Sequence, residues 1–240
     1  MYFEKYSKEV DLMVKVCHLL AERHFVTSAG GNAAWRLEDD VILITPTKTY
    51  KGDVCKDNLI FINMKGETIE GTAKPTGEKP MYLKFFSERP DIKTVIHCHP
   101  EAACAFAIMK EGEELAMQPF YPEQAIEVGP VPFVPYAEPL TETLANNFVP
   151  YLPYYNNFMM EKHGLVTMTA GDIYTTYLTV DLAEGSFSSI IKAKSCGTLN
   201  PITDEELSNL SRVMETRGLK LFGAPGKNAT LLECYKRRIK

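Results

Sequence analysis

The sequence predicts an α/β protein of the α+β type, a single domain in which helices flank a central, mostly antiparallel sheet. Two pairs of short apolar runs are each separated by polar turn residues, which is typical of hairpins. Apolar residues at helical spacing occur before, between and after these runs, not in strict alternation with single strands. No linker divides the 240 residues, so one core is expected over residues 1–240.

The first element is an amphipathic helix over about residues 4–24, where apolar residues recur at helical spacing. The segment 27–32, which contains Gly30 and Gly31, breaks that pattern. Two extended stretches follow at 33–37 and 41–45, and the acidic residues between them suit a hairpin turn.

A second strand-turn-strand unit is predicted at 58–63 and 67–70. Pro75 then forces the residue before it out of helical space. The next helix should begin near Lys79–Pro80, because proline is well placed in a first helical turn, and should end around Arg89–Pro90.

The second half of the chain continues with strands and helices, and it ends in a basic segment. The pattern predicts strands at 93–97 and 131–134, and helices at about 101–110, 172–194 and 204–217. Lys236–Lys240 is basic and is expected to be a solvated tail, because such charge runs are more often exposed than ligand-binding.

Composition excludes several kinds of partner. A net charge of −5 argues against a broad nucleic-acid footprint, so an anionic ligand must be held locally. We expect no membrane association, since no apolar stretch is long enough to span a bilayer. The chain opens without a signal peptide, and its six cysteines contain no C-x-x-C pair, so we predict a cytoplasmic protein with reduced thiols.

His97-Cys98-His99 ends an apolar run and is the strongest chemical signal. Side chains alternate along a strand, so His97 and His99 should point to one side and Cys98 into the core. Two imidazoles aimed together are half of a zinc site, and His163 is the candidate third ligand. Three protein ligands leave an open position, which favours catalysis. The alternative is a pair of strand-end histidines that are merely hydrogen-bonded.

Short motifs along the chain carry a family resemblance. They are Gly30-Gly31-Asn32, Leu43-Ile44-Thr45-Pro46-Thr47, Lys74-Pro75-Thr76-Gly77-Glu78, Arg89-Pro90-Asp91, His97-Cys98-His99 and Lys162-His163-Gly164. In this order, from about residue 8 to residue 218, the chain resembles the class II aldolase/adducin family, and most closely its zinc-dependent L-fuculose-1-phosphate aldolase type. The resemblance implies that fold, a homotetramer, and one Zn²⁺ or other divalent ion per subunit on His97, His99 and His163.

The resemblance also assigns the acid/base residue. Glu78 matches the glutamate that moves protons in such aldolases, where a reaction beside a carbonyl passes through an enediolate. The alternative is a glutamate that only stabilises the start of a helix through the helix dipole. Tyr121, counted back from Pro135-Tyr136, matches the tyrosine that protonates the aldehyde oxygen, although a core or surface role for this residue stays open.

In relatives, backbone amides and hydroxyls from three loops hold a phosphate group. The matching residues are Gly31, Asn32, Thr47, Lys48, Thr76 and Gly77. Lys48 stands where the family has glycine, so its side chain either adds charge to this site or obstructs the close approach that glycine permits.

The function that the resemblance implies is that of a metal-dependent aldehyde-lyase. It would cleave a ketose 1-phosphate of the fuculose, rhamnulose or ribulose kind to dihydroxyacetone phosphate and an aldehyde. One rival function is that of a pentose-phosphate 4-epimerase of the same superfamily, although those enzymes typically carry Asp where this chain has Glu78. The motifs are also compatible with a sugar-phosphate dehydratase and with a non-enzymatic, adducin-like interaction domain.

Overall fold

An eight-stranded mixed sheet forms the centre of the molecule in the computed structural model, which describes residues 1–239. The strands are β1 (Asn32–Glu38), β2 (Val41–Ile44), β3 (Ile60–Ile62), β4 (Thr68–Glu70), β5 (Thr94–Cys98), β6 (Phe133–Val134), β7 (Asn157–Met160) and β8 (Gly164–Thr169). Their order is β4-β3-β2-β1-β5-β8-β7-β6. Neighbouring strands are antiparallel except β6 and β7, so the predicted mostly antiparallel sheet is confirmed.

Helices cover both faces of the sheet. They are α1 (Tyr2–Lys5), α2 (Ser7–Glu22), α3 (Lys79–Glu88), α4 (Glu101–Ile108), α5 (Gly112–Ala116), α6 (Glu142–Asn147), α7 (Ile173–Cys196), α8 (Asp204–Thr216) and α9 (Leu231–Lys236). Short 3₁₀ helices span Lys51–Asp53 and Lys56–Asn58, and a π-helical turn spans Gln124–Val128. Within residues 1–239, no helix is both long and apolar enough to cross a membrane.

The alternation of side chains along the strands builds two cores. Ala33, Leu43 and Ile96 face the layer that contains α2, α4 and α7. Their neighbours Ala34 and Ile44 face the opposite layer, which contains α3 and α6. By the same alternation Cys98 points into the first layer, so the side chain of His97 points to the opposite face of β5.

Two sequence predictions need correction. The helix predicted over 4–24 is divided at Tyr6, whose φ of −112° and ψ of 33° interrupt it, and its second part ends at Glu22. The strand predicted over 131–134 is limited to Phe133–Val134, because β6 pairs only with the end of β7.

Helix α9, which the sequence analysis did not predict, precedes the basic C-terminal segment. In that segment Lys236 and Arg238 are exposed and Arg237 is half-buried, while Lys240 lies outside the described residues. Thr230 caps α9 by accepting a hydrogen bond from the backbone N–H of Glu233. Leu231, Cys234 and Tyr235 are buried against α8, because their helical spacing gives α9 an apolar face despite its basic end.

Candidate metal centre

His97 and His99 lie at the end of β5, with their ring centroids 4.6 Å apart. The Nε2 atoms of the two rings are separated by 2.9 Å. His97 Nδ1 donates a hydrogen bond to the backbone carbonyl of Leu165 on β8 at 3.0 Å, which leaves Nε2 with a lone pair. This arrangement is typical of a histidine metal ligand, whose second nitrogen is held by a carbonyl.

His163 completes the cluster from the turn between β7 and β8. Its ring centroid lies 4.8 Å from that of His97 and 5.3 Å from that of His99. One nitrogen of each ring lies within 4.8 Å of the others, so the three rings fit a single divalent ion. In this turn Lys162 has a left-handed φ of 57°, and this conformation sets the position of the next residue, His163.

The cluster is built from neutral imidazoles. Burial lowers the pKa of His97 to about 3, with a further lowering from the neighbouring His163. Burial also lowers the pKa of His99 to about 3 and lowers that of His163, where Glu78 opposes the effect. Neutral imidazoles are the form that binds a metal, so the donor set fits zinc.

Two glycines allow close packing around the histidine cluster. A Cβ atom on Gly31, whose φ is 67°, would lie 2.5 Å from Val26 and 3.0 Å from the carbonyl oxygen of His97. A Cβ atom on Gly164 would lie 2.6 Å from a ring carbon of His99. Both positions therefore require glycine, and the packing role of Gly164 was missed by sequence reasoning.

Glu78 faces the cluster from the residue that precedes α3, with only 6% of its surface exposed. Its Oε2 lies 3.6 Å from His97 Nε2, and its Oε1 lies 3.9 Å from His163 Nε2. The structure thus brings together the three histidines and the carboxylate from three separated stretches of sequence. A carboxylate this close to a metal position can accept or return a proton there.

Asn32 and Tyr82 hold Glu78 in place. Asn32 pairs with His97 across β1 and β5, and its Nδ2 donates to Glu78 Oε2 at 2.7 Å. The hydroxyl of Tyr82 lies 2.8 Å from the backbone oxygen of Asn32 and also within hydrogen-bonding distance of the Asn32 side-chain oxygen. Sequence reasoning missed Tyr82, although its position one helical turn after Glu78 was a usable signal.

The loops that carry Thr47 and Thr76 run side by side. The backbone N–H of Thr47 donates to the carbonyl of Lys74 at 2.9 Å, and that of Thr76 donates to the carbonyl of Thr45 at 3.1 Å. Thr76 Oγ1 accepts a hydrogen bond from the Glu78 N–H at 3.3 Å, so this loop also helps to place the carboxylate.

Lys48 and Gly77 occupy the tips of these two loops. Lys48 is exposed and has a φ of 54°, a left-handed conformation that glycine adopts without strain. A Cβ atom on Gly77 would lie 3.0 Å from Leu140, which is 59% exposed and also has a positive φ of 70°. Leu140 therefore forms a wall beside Gly77 that the sequence did not predict.

Tyr121 is not brought to the cluster within this chain. Its hydroxyl donates to the hydroxyl of Ser186 on α7. The π-helical turn Gln124–Val128 follows directly, and Gln124 fixes its start by accepting a hydrogen bond from the Phe120 N–H at 2.8 Å. Tyr121 thus lies on the helical layer formed by α7, while Glu78 and the histidines are at the end of β5.

Lys51 is a further residue that sequence reasoning missed. It is 1% exposed, and its Nζ donates to the backbone carbonyl of Thr49 at 2.7 Å. Burial lowers the pKa of Lys51, and the nearby Cys17 and Glu78 oppose that effect. No sequence pattern indicates its burial, because a lysine in a polar loop ordinarily projects into solvent.

The mixed sheet, the three-histidine cluster and the adjacent carboxylate define a protein of the class II aldolase type. The chain belongs to the family described as Class II Aldolase and Adducin N-terminal domain, whose model matches residues 11–187. This confirms the family resemblance carried by the short motifs, and metal dependence is a property of the aldolases of this family.

Relatives with two different activities are similar to the chain. L-fuculose phosphate aldolase of Methanococcus maripaludis is 30% identical over 171 residues, which cover 71% of this chain and 89% of the relative. 3-oxo-tetronate 4-phosphate decarboxylase of Pectobacterium atrosepticum is 31% identical over 156 residues, which cover 64% of this chain and 71% of the relative.

The fold agrees with that of solved structures. YgbL of Klebsiella pneumoniae, described as a candidate aldolase, epimerase or decarboxylase, matches with a TM-score of 0.78 and 25% identity, over 85% of this chain and 98% of that one. An L-fuculose 1-phosphate aldolase matches with a TM-score of 0.77 and 21% identity, over 87% of this chain and 97% of that one. The class II aldolase fold predicted from the sequence is therefore confirmed.

Proposed function

We propose that the protein is a zinc-dependent aldolase that reversibly cleaves a ketose 1-phosphate to dihydroxyacetone phosphate and an aldehyde. The observation that carries the proposal is the carboxylate of Glu78, which is buried and lies 3.6 Å from His97 Nε2 and 3.9 Å from His163 Nε2. A non-enzymatic, adducin-like interaction domain has no need of this combination of three histidines and a base.

The histidines, Glu78 and Asn32 have different roles in the proposed reaction. A divalent ion held by His97, His99 and His163 would supply Lewis-acid stabilisation of negative charge beside a carbonyl. In the cleavage direction the carbon-carbon bond breaks, and its electron pair enters an enediolate. Glu78 moves the proton to and from the carbon of that enediolate, while the hydrogen bond from Asn32 fixes the direction in which the carboxylate points.

The phosphate group is assigned to the loops around Glu78. Gly31, Asn32, Thr47, Thr76 and Gly77 would supply backbone amides, a side-chain amide and hydroxyls, which suits a chain whose net charge is −5. The exposed Lys48 adds a cation in this loop, and its left-handed backbone is a conformation that glycine, expected there from the family resemblance, adopts without strain.

Tyr121 is assigned to a neighbouring subunit's centre in a homotetramer, where it would protonate the alkoxide in the synthetic direction. The support is that its hydroxyl donates to Ser186 on α7 and not to the histidines or Glu78 of its own chain. All six cysteines are free, including the exposed Cys55 and Cys196, which suits the reducing cytoplasm.

The test is release of dihydroxyacetone phosphate, trapped by a coupled NADH-dependent reductase, from a panel of ketose 1-phosphates on zinc-loaded protein. An unphosphorylated ketose is the control for the phosphate loops. We expect one phosphorylated ketose to be cleaved and its unphosphorylated form to react far more slowly. Conversion of a pentose phosphate to its 4-epimer without released fragments would instead identify an epimerase, and loss of water would identify a dehydratase.

A second candidate is decarboxylation of a phosphorylated 3-oxo sugar acid. It is favoured by the 3-oxo-tetronate 4-phosphate decarboxylase of Haemophilus influenzae, which is 27% identical over 214 residues that cover 87% of this chain and 96% of the relative. Loss of carbon dioxide also leaves an enediolate, so Glu78 would protonate the same kind of carbon. Release of carbon dioxide from such an acid, with no cleavage of any ketose 1-phosphate, would replace the aldolase proposal.

A further inference from the structure

Glu184 is a half-buried carboxylate that the proposed chemistry does not use. It lies in the middle of α7, and its two oxygens accept hydrogen bonds from the backbone N–H groups of Ala102 and Ala103 at 2.7 and 2.9 Å. These N–H groups belong to the first turn of α4 and have no partner within that helix. The N-cap residue of α4 is Pro100, whose side chain cannot accept a hydrogen bond, so Glu184 caps α4 from 82 residues away along the chain.

A cap from a distant helix has a different consequence from a local cap. Helices α6, α7, α8 and α9 are each capped by the side chain of the residue directly before them, which are Thr141, Asp172, Thr203 and Thr230. A local cap of this kind stabilises its own helix. Glu184 instead joins two helices, so its charge-assisted hydrogen bonds fix the start of α4 against α7.

The start of α4 continues directly from His99. Only Pro100, with its restricted φ of −63°, separates His99 from Glu101, the first residue of the helix. On the other side, the backbone N–H of His99 donates to the carbonyl of Phe25 at 2.8 Å. The backbone of His99 is therefore held between this bond and the capped helix, and a shift of α4 would move the His99 ring.

The same helix also holds the turn that carries His163. The backbone N–H of Lys162 donates to the carbonyl of Ala107 at 2.9 Å, and the thiol of Cys104 donates to the carbonyl of His163 at 3.7 Å. Two of the three candidate ligands are thus attached to α4, one before its start and the other along its side. The third, His97, is held separately by the pairing of β5 with β8.

We propose that Glu184 is a positioning residue for the metal centre, which keeps His99 and His163 at the spacing that one divalent ion requires by fixing α4 against α7. It acts through α4, because its oxygens bind backbone N–H groups of that helix. The proposal rests on the proposed function only in taking the three histidines as ligands of a divalent ion. Groups that orient metal ligands in this indirect way ordinarily change metal affinity by about 10- to 100-fold.

The test is the zinc affinity of Glu184→Gln, measured on the apo protein by competition with a chromophoric chelator. The amide oxygen can accept one of the two N–H groups, but the NH₂ group faces the other, so the start of α4 should move. We expect zinc to bind about tenfold more weakly than in the wild type. The visible d–d bands of bound Co²⁺, which report coordination geometry, should also change.

Glu206→Gln is the matched control. Glu206 also accepts a backbone N–H at the start of a helix, that of Thr203 at 2.8 Å, but α8 carries none of the candidate ligands. This variant should keep the zinc affinity and the Co²⁺ spectrum of the wild type. A merely structural role for Glu184 predicts that Glu184→Gln loses stability in urea while its folded form keeps the same zinc affinity and Co²⁺ spectrum, and that result would overturn the proposal.

Glu184→Asp keeps the carboxylate on a side chain that is one methylene shorter. Its zinc affinity should lie between those of the wild type and Glu184→Gln, because a carboxylate accepts both N–H groups but reaches them less well. If Glu184→Gln does not fold, Glu184→Asp takes its place, and an unchanged zinc affinity in that variant would overturn the proposal in the same way.

These measurements are independent of the reaction. If no ketose 1-phosphate is cleaved but the zinc affinity falls as expected, the aldolase proposal fails and the positioning role stands. If cleavage occurs but the zinc affinity of Glu184→Gln equals that of the wild type, the positioning role fails alone.

Discussion

Asn32 Nδ2 donates a hydrogen bond to Glu78 Oε2 at 2.7 Å, and this bond joins the first residue of β1 to the residue that precedes α3. Asn32 also lies directly opposite His97 in the sheet. The Asn32 side chain therefore sets the position of the candidate base, Glu78, relative to the candidate metal ligands. Sequence motifs that are 46 residues apart meet through this contact.

Glu78→Gln tests the assigned base. The amide keeps the shape of the side chain and the contact with Asn32 but cannot accept a proton, so kcat should fall by about 10²- to 10⁴-fold. Zinc content, measured in parallel by plasma emission spectroscopy, should match that of the wild type. Glu88→Gln, on the exposed end of the same helix, is the control and should be fully active. Full activity in Glu78→Gln would refute the assignment.

Tyr82→Phe tests the hydrogen-bonding contact between the Tyr82 hydroxyl and Asn32. Loss of the hydroxyl leaves a buried oxygen of Asn32 without its donor, so the free energy of unfolding should fall by about 1–3 kcal/mol. The freed Asn32 should also orient Glu78 less well, which lowers kcat with zinc content unchanged. Urea unfolding and steady-state kinetics measure the two effects. Tyr50→Phe, at an exposed tyrosine, should alter neither of them, and equal stability of the two variants would contradict the prediction.

Lys48→Gly tests the departure from the family pattern. Lys48 has a φ of 54°, and a side chain in this conformation costs about 1–2 kcal/mol that glycine avoids. Part of this gain is offset by the greater freedom of an unfolded glycine, so we expect stabilisation of up to about 1 kcal/mol in urea unfolding. Lys65→Gly, where φ is not positive, should be destabilised. Destabilisation of Lys48→Gly would show that the lysine side chain itself holds the loop.

Arg89→Met tests the Arg89-Pro90-Asp91 motif, to which sequence reasoning assigned no role. Arg89 is 1% exposed, donates to Asp91 at 2.8 Å and reaches the carbonyls of Leu152 and Tyr155 at 2.7 and 3.1 Å. Removing the guanidinium leaves these acceptors and a carboxylate without their donor, so we expect destabilisation of about 3–5 kcal/mol in urea. Arg212→Met, on the exposed face of α8, should stay within about 0.5 kcal/mol of wild type.

The proximity of His97 and His99 was predictable from the sequence, because the alternation of side chains along a strand is a local property. His97 is on β5 and His99 directly follows its last residue, Cys98, so their common direction follows from the alternation along the strand. His163 and Glu78 required the family resemblance, since no local rule brings a turn and the start of a helix to the same place. Their contacts depend on the pairing of β5 with β8 and on the packing of α3, which are properties of the whole fold.

Other features were beyond sequence reasoning for physical reasons. Lys51 is buried because α2 packs against the short 3₁₀ helix Lys51–Asp53, and the polar sequence of this loop does not indicate that packing. The left-handed φ of Lys48 contradicts the preference of lysine, so only an observed backbone reveals it. Helix α9 was not predicted, although the helical spacing of Leu231, Cys234 and Tyr235 is visible in the sequence.

Acidification of the metal-free protein should weaken the fold before its carboxylates titrate fully. The pKa of His97 is about 3 in the folded protein, against an ordinary value of 6.5 that applies when the chain unfolds. Between these two values the unfolded chain binds more protons than the folded one, so stability rises with pH and is lost as pH falls from about 6.5 towards 3. His99 acts in the same direction, since its pKa is also about 3.

The measurement is the urea midpoint of chelator-treated protein at pH 7.5, 6.0 and 5.0, compared with that of His97→Gln. The wild-type midpoint should decrease over this range, and His97→Gln should show a smaller decrease because it lacks one titrating ring. His24→Gln, at an exposed histidine, should follow the wild type. Zinc-loaded protein should resist unfolding more than apo protein at pH 7.5, and this difference should shrink on acidification, since protons compete with the metal for the imidazoles. An apo midpoint that is independent of pH would show that the cluster is not neutral and buried in solution.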